Sequence, residues 1–111
     1  MRRVDDDERV DAEDLPEFAA AVLDVVDRVP AGQVLTYGDV AEYLGRGGPR
    51  QVGAVLAEHG GAVAWWRVLR ADGTPAPMVA ERAFSAYRDE GTPLRPGGRR
   101  VDLALARWDG R

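Results

Sequence analysis

The feature that most constrains this chain is its punctuation by glycine and proline. Breaks fall at Pro30-Ala31-Gly32, at Gly45 through Pro49, at Gly60-Gly61, at Asp72-Gly73, at Pro75 and Pro77, and at Gly91. Residues of these types interrupt both helices and strands. Only short segments fit between them, and the apolar spacing inside those segments is mostly helical.

Leu15, Phe18, Val22, Val25, Val26 and Val29 recur at helical intervals. Pro16 stands where a first-turn proline is tolerated, behind Asp14 as the expected N-cap. This helix should end before Pro30, with Gln33-Val34-Leu35 as a short extended link. Thr36 and Asp39 have capping-box spacing, so a second helix should start there, bury Val40, Ala41 and Leu44, and stop at Gly45. Pro49 suits the first position of a third helix, with Val52, Val55 and Leu56 inward and an end near His59-Gly60-Gly61. Ala80, Ala83, Phe84 and Tyr87 mark a fourth helix, halted by Gly91. Pro93 to Arg100 reads as loop. Ala104 to Trp108 fits either a last helical turn or an alternating strand.

Two short helices joined by a glycine turn match a helix-turn-helix, with the Pro49 helix as the reading element. The same pattern fits an ordinary helical hairpin. The segment Val63 to Arg70 is aromatic and apolar. If extended, it sends the adjacent Trp65 and Trp66 to opposite sides, one to the core and one to a pocket.

A length of 111 residues suits one domain. Met1–Asp14 carries seven acids against three arginines and reads as a solvated acidic tail. Residues 15–111 then hold twelve basic and twelve acidic side chains, so strong non-specific DNA binding is not expected. The first residues are charged rather than apolar, and no apolar run is long enough to span a bilayer. A cytoplasmic protein without membrane attachment is expected. There is no cysteine and a single histidine, His59, which exclude disulfides, thiol nucleophiles and the usual metal sites. No cofactor is expected.

Three segments together resemble the DNA-binding domain of O6-alkylguanine-DNA alkyltransferases. Pro30 to Ala41, read as PAGQVLTYGDVA, is similar to the family's P-x-G-x-V-x-[ST]-Y-G-x-[LIV]-A. Pro49 to Leu56, PRQVGAVL, is similar to its recognition helix. Ala64-Trp65-Trp66-Arg67-Val68 stands where the family has P-C-H-R-V. The resemblance spans about Leu15 to Trp108 and implies a mainly α, winged helix-turn-helix-like domain with few short strands, over residues 15–111.

Counted back from Arg67, Trp65 occupies the place of the acceptor cysteine and Trp66 that of its activating histidine. Tryptophan at the cysteine position marks alkyltransferase-like proteins. The resemblance therefore implies a monomeric, non-enzymatic protein that binds double-stranded DNA containing alkylated guanine and passes the lesion to nucleotide excision repair proteins. His59 stands near the place of the family's asparagine hinge, and the loop from there to Trp65 is shorter.

A base must leave the stack before a pocket can read it, at a cost of a few kcal/mol. By resemblance, Arg50 is the finger that fills the gap. Pro49, Gln51 and Gly53 share its helix as DNA-contacting residues. Tyr37 turns the phosphate and flanks the lesion pocket, whose other members are Trp65, Trp66 and Arg67. Indole stacking tolerates chemical variety in the base, which suits Trp65 as a wall. Each has a plainer reading: Arg50 as an exposed first-turn residue, Tyr37 as packing, and Arg67 as a brace hydrogen-bonded to backbone carbonyls. Gly53 serves equally for close approach to DNA or to a neighbouring helix. Glu90 matches the glutamate of the catalytic relay; without a thiol to serve, a hydrogen-bond anchor is expected. Arg95, Arg99 and Arg100 fit a solvated loop or phosphate contacts. A sequence-specific winged-helix regulator or an interaction module that has lost DNA binding are the competing functions.

Overall fold

A computed structural model describes residues 15–111. The acidic stretch 1–14, with Asp14 as the expected cap of the first helix, lies outside the described residues. The elements run α1 (Leu15–Arg28), β1 (Leu35–Thr36), α2 (Tyr37–Leu44), α3 (Pro49–His59), β2 (Val68–Leu69), α4 (Ala80–Glu90) and α5 (Leu103–Ala106). Short 3-10 turns cover Gly60–Ala62, Trp65–Arg67 and Pro77–Val79. The mainly helical expectation holds, and the helix-turn-helix is α2 and α3.

The capping box forms as expected. The Asp39 amide donates to the Thr36 hydroxyl at 3.0 Å, and the Thr36 amide donates to the Asp39 carboxylate at 2.9 Å. At the other end of α2, Gly45 takes a left-handed φ of 74° and its N–H returns to the Ala41 and Glu42 carbonyls. Pro49 occupies the first turn of α3. Gly91 closes α4 with φ 72°. The stretch before α4 is not wholly irregular, because Pro77 opens a 3-10 turn, where its fixed φ is tolerated. At the C-terminal end the helical alternative holds: residues 103–106 make one turn and Leu105 is exposed.

β1 and β2 pair in parallel, Leu35 opposite Val68 and Thr36 opposite Leu69. The pair is only two residues deep, yet it partitions the core. Successive strand residues face opposite sides. Leu35 and Val68 join the helical core of Phe18, Val22, Val26, Val40 and Val52. Val34 and Leu69 join a second cluster with Ala83, Tyr87 and Val101 under α4. The chain end is stitched alongside, as the Val34 amide donates to Ala106 O and the Trp108 amide to Val34 O, both at 2.9 Å. Parallel pairing needs a long crossover. Here α2 and α3 are that crossover, which brings Tyr37 close to Arg70, just past β2.

Candidate nucleic-acid interface

α2 and α3 present one side of the molecule. Between them lies an open concavity of about 780 Å³, lined among others by Gly38, Gly45, Gly47, Gly48, Pro49 and Arg50. Glycines keep its walls at backbone height, so a partner can approach the main chain itself. The α3 N-cap, Gly48, supplies no side-chain acceptor, and no acidic residue sits in the first turn. Pro49 and Arg50 are exposed and Gln51 is half-buried beside them. Among the described residues Arg50 has no ion-pair or side-chain hydrogen-bond partner. An arginine at a helix N-terminus opposes the macrodipole, and nothing within the described residues repays that cost.

Gly53 resolves in a similar way. A Cβ placed there meets nothing within 4 Å. The neighbouring-helix explanation for this glycine therefore falls: no other part of the described protein needs the space.

Tyr37 begins α2, half-buried against the helical core. Burial raises the pKa of its phenol, with the Arg70 cation opposing. The second aromatic feature lies along the chain from β2. Trp65 and Trp66 do not lie in an extended segment with one side chain inward and one outward, as the sequence suggested. The Arg67 amide donates to Ala64 O at 3.0 Å and the Val68 amide to Trp65 O, which winds residues 65–67 into a 3-10 turn, and the Trp65 amide donates to Val63 O at 2.8 Å in a tighter bend just before it. With about three residues per turn, adjacent side chains splay by less than a reversal. Both indoles are half-buried against the α4 cluster, in edge-to-face contact at 5.6 Å and 85°. The Arg82 guanidinium lies over Trp65 at 5.2 Å, and that of Arg67 over Trp66 at 5.7 Å.

Beneath them Glu90 is a hub. It accepts from the Trp66 indole N–H at 2.9 Å, from Arg67 at 2.6 and 3.2 Å, and from the Gly32 amide at 3.1 Å. Burial works to raise its pKa, but the bonds from Arg67, Gly32 and Trp66 outweigh it and the net shift is downward. Arg67 also donates to Val29 O at 2.9 Å, the carbonyl brace expected of it. Tyr87 donates from its hydroxyl to Trp66 O at 2.7 Å, and its own pKa is pushed far up by burial, then by Tyr37 and Glu90. The turn that carries the indoles is thus tied to Val29 just past α1, to the Gly32 turn and to α4.

The candidate residues therefore form two groups. Pro49, Arg50, Gln51 and Gly53 share one end of α3. Trp65, Trp66 and Arg67 gather over Glu90. Tyr37 sits between the two core clusters, packed on one and electrostatically coupled to Tyr87 of the other. His59 is exposed, 4.0 Å from Glu58. Three contributors were not singled out from sequence: Gly32 as a donor to Glu90, Arg82 over Trp65, and Arg107. Arg107 donates to Asp39 at 3.0 Å and so supports the capping box from the far end of the chain. Only the φ-permissive Pro-Ala-Gly turn carried a local signal, for Gly32.

The family described as 6-O-methylguanine DNA methyltransferase, DNA binding domain, matches residues 17–91. An Escherichia coli DNA base-flipping protein is 35% identical over 109 residues, covering 93% of this chain and 81% of the relative. Alkyltransferase-like protein 1 of Schizosaccharomyces pombe is 37% identical over 78 residues, covering 65% and 66%. A crystal structure of S. pombe Atl1 in complex with damaged DNA containing O6-carboxymethylguanine superposes with a TM-score of 0.72 at 30% identity, covering 85% of this chain and 96% of that one. This chain therefore belongs to the 6-O-methylguanine DNA methyltransferase DNA-binding-domain family, among its alkyltransferase-like members.

Proposed function

We propose that this protein recognises O6-alkylated guanine in duplex DNA by flipping the base, does not repair it, and marks it for nucleotide excision repair. The observation that carries the reading is the likeness over nearly the whole fold to a protein crystallised on O6-carboxymethylguanine DNA, in a chain with no cysteine to accept an alkyl group. In this reading Trp65 stands in place of the acceptor cysteine and Trp66 in place of its histidine. Alkyl transfer needs a thiolate nucleophile, and none is available.

The chemistry left is binding. α3 enters the duplex with Pro49, Arg50, Gln51 and Gly53 against the DNA. The Arg50 guanidinium, planar and unpaired, fills the space the base leaves and hydrogen-bonds the orphaned partner. Tyr37 turns the adjoining phosphate. The flipped base stacks on Trp65, while Trp66 and Arg67, locked to Glu90, hold the turn in place. One copy supplies every one of these groups, so the active species is a monomer.

The test is equilibrium binding of labelled duplexes with and without one O6-methylguanine, at moderate salt. The reading expects tighter binding to the modified duplex, loss of that preference in Arg50→Ala, and unchanged O6-methylguanine content after long incubation. Equal affinity for both duplexes, or no binding to either, sinks it.

A further inference from the structure

The segment after α4 carries charge that the proposed site leaves unused. Leu94 and Val101 form an antiparallel bridge. The Arg95 amide donates to Arg100 O at 2.8 Å and the Gly98 amide to Arg95 O at 2.9 Å, which closes a tight hairpin. Its tip, Gly97 and Gly98, takes φ of 96° and 71°, a conformation that glycine adopts without steric cost. Arg95, Arg99 and Arg100 converge with Pro96 on one concavity of about 350 Å³. All three are exposed, and none forms an ion pair with a described residue. Glu81 and Arg88 of α4 lie beside Arg99 on the outer flank.

The hairpin is fixed to the turn that follows β2. The Val101 amide donates to Gly73 O at 2.8 Å. Beside it, Asp72 is bonded by the hydroxyl and amide of Thr74, and its carboxyl also feels Arg70 and Arg100. Arg70 in turn acts on Tyr37. Arg70 and Arg100 thus flank Asp72, and Arg95 and Arg99 share the hairpin with Arg100. Three guanidiniums gathered on a short loop repel one another, and a polyanion relieves that repulsion. Arginine forks suit phosphate oxygens, and contacts of this kind position a duplex without reading its sequence.

We propose that Arg95, Arg99 and Arg100 form a second phosphate-binding surface, which grips the DNA backbone away from the segment held by α3. The inference rests on the DNA-binding reading above. It gives a body without net charge a local cluster of exposed guanidiniums with which to hold a duplex.

The experiment compares wild type with an Arg95→Gln, Arg99→Gln, Arg100→Gln variant, and with the corresponding triple lysine variant, on O6-methylguanine and unmodified duplexes over a range of salt. Each phosphate contact contributes about 0.9 to the slope of log affinity against log salt. The glutamine variant should lose about 2 to 3 from that slope, weaken equally on both duplexes, and keep its preference for the lesion; the lysine variant should retain most of the slope. Thermal unfolding of both variants should match wild type, since the changed side chains are exposed. A glutamine variant with the wild-type slope overturns this inference while leaving the lesion-recognition reading intact. A wild-type protein that binds neither duplex overturns both.

Discussion

The Arg67 guanidinium meets the Glu90 carboxylate at 2.6 Å, with only 18% and 13% of the two side chains exposed. In an alkyltransferase the corresponding glutamate is the last member of a relay to the thiol, as the sequence resemblance implies. Here the same carboxylate holds the tryptophan turn to α4 and to the Gly32 turn. Removing one member of a buried pair leaves the other charge uncompensated. Glu90→Ala should therefore cost about 3 kcal/mol, read from urea unfolding.

The same pair sets an acid limb. The folded-state pKa of Glu90 lies below its unfolded value. Its stabilisation is then complete above the unfolded value and is lost as pH falls through the depressed folded one. Wild type should lose stability across that acid window, and Glu90→Gln should show a shallower fall. Parallel curves for the two proteins would show that Glu90 does not couple folding to pH.

Gly53 separates binding from folding. With no protein atom near its missing side chain, Gly53→Ala should leave the fold intact and stabilise it by roughly 0.5–1 kcal/mol through helix propensity. If α3 lies against DNA there, the added methyl holds the duplex off and affinity should drop about tenfold, or about 1.4 kcal/mol. A variant with higher melting temperature and unchanged DNA affinity would place the DNA elsewhere.

The two tryptophans should respond differently. Trp66→Phe removes the indole bond to Glu90 and should cost about 1 kcal/mol of stability, with lesion preference retained. Trp65 makes no hydrogen bond through its side chain to a described residue. Trp65→Ala should lose roughly 1–3 kcal/mol of lesion affinity as stacking is removed. Urea unfolding and duplex binding, measured on both variants, distinguish the roles; the reverse pattern exchanges them.

Gly73 tests the join between the β2 turn and the arginine hairpin. Its φ is 87°, and a Cβ there would lie 2.7 Å from the Val101 carbonyl oxygen. Gly73→Ala carries about 1–2 kcal/mol of left-handed backbone strain, and the clash adds to it. A lowered melting temperature with an unaltered helical circular-dichroism signal is the expected result.

Local chemistry determined the helices of this protein from the sequence alone. Thr36 with Asp39, Gly45, Pro49 and Gly91 act through bonds to near neighbours or through their own φ, so their positions bound α2, α3 and α4 without reference to the rest of the fold. The order and spacing of the motifs around Tyr37, Arg50 and Arg67 likewise marked the family. What the tertiary structure decided depends on contacts between distant residues. Trp65 and Trp66 looked like alternating strand residues, because periodicity cannot register the bonds to the Ala64 and Trp65 carbonyls that wind them into a turn. Glu90 became a hub only when folding brought Gly32, Trp66 and Arg67 to it across 58, 24 and 23 residues of chain. Gly53 stayed ambiguous until the space around it was known to contain no protein. The absence of cysteine excluded a thiol nucleophile from the sequence itself; the structure added that Trp65 and Trp66 share one side of the fold, over a carboxylate engaged by structural bonds.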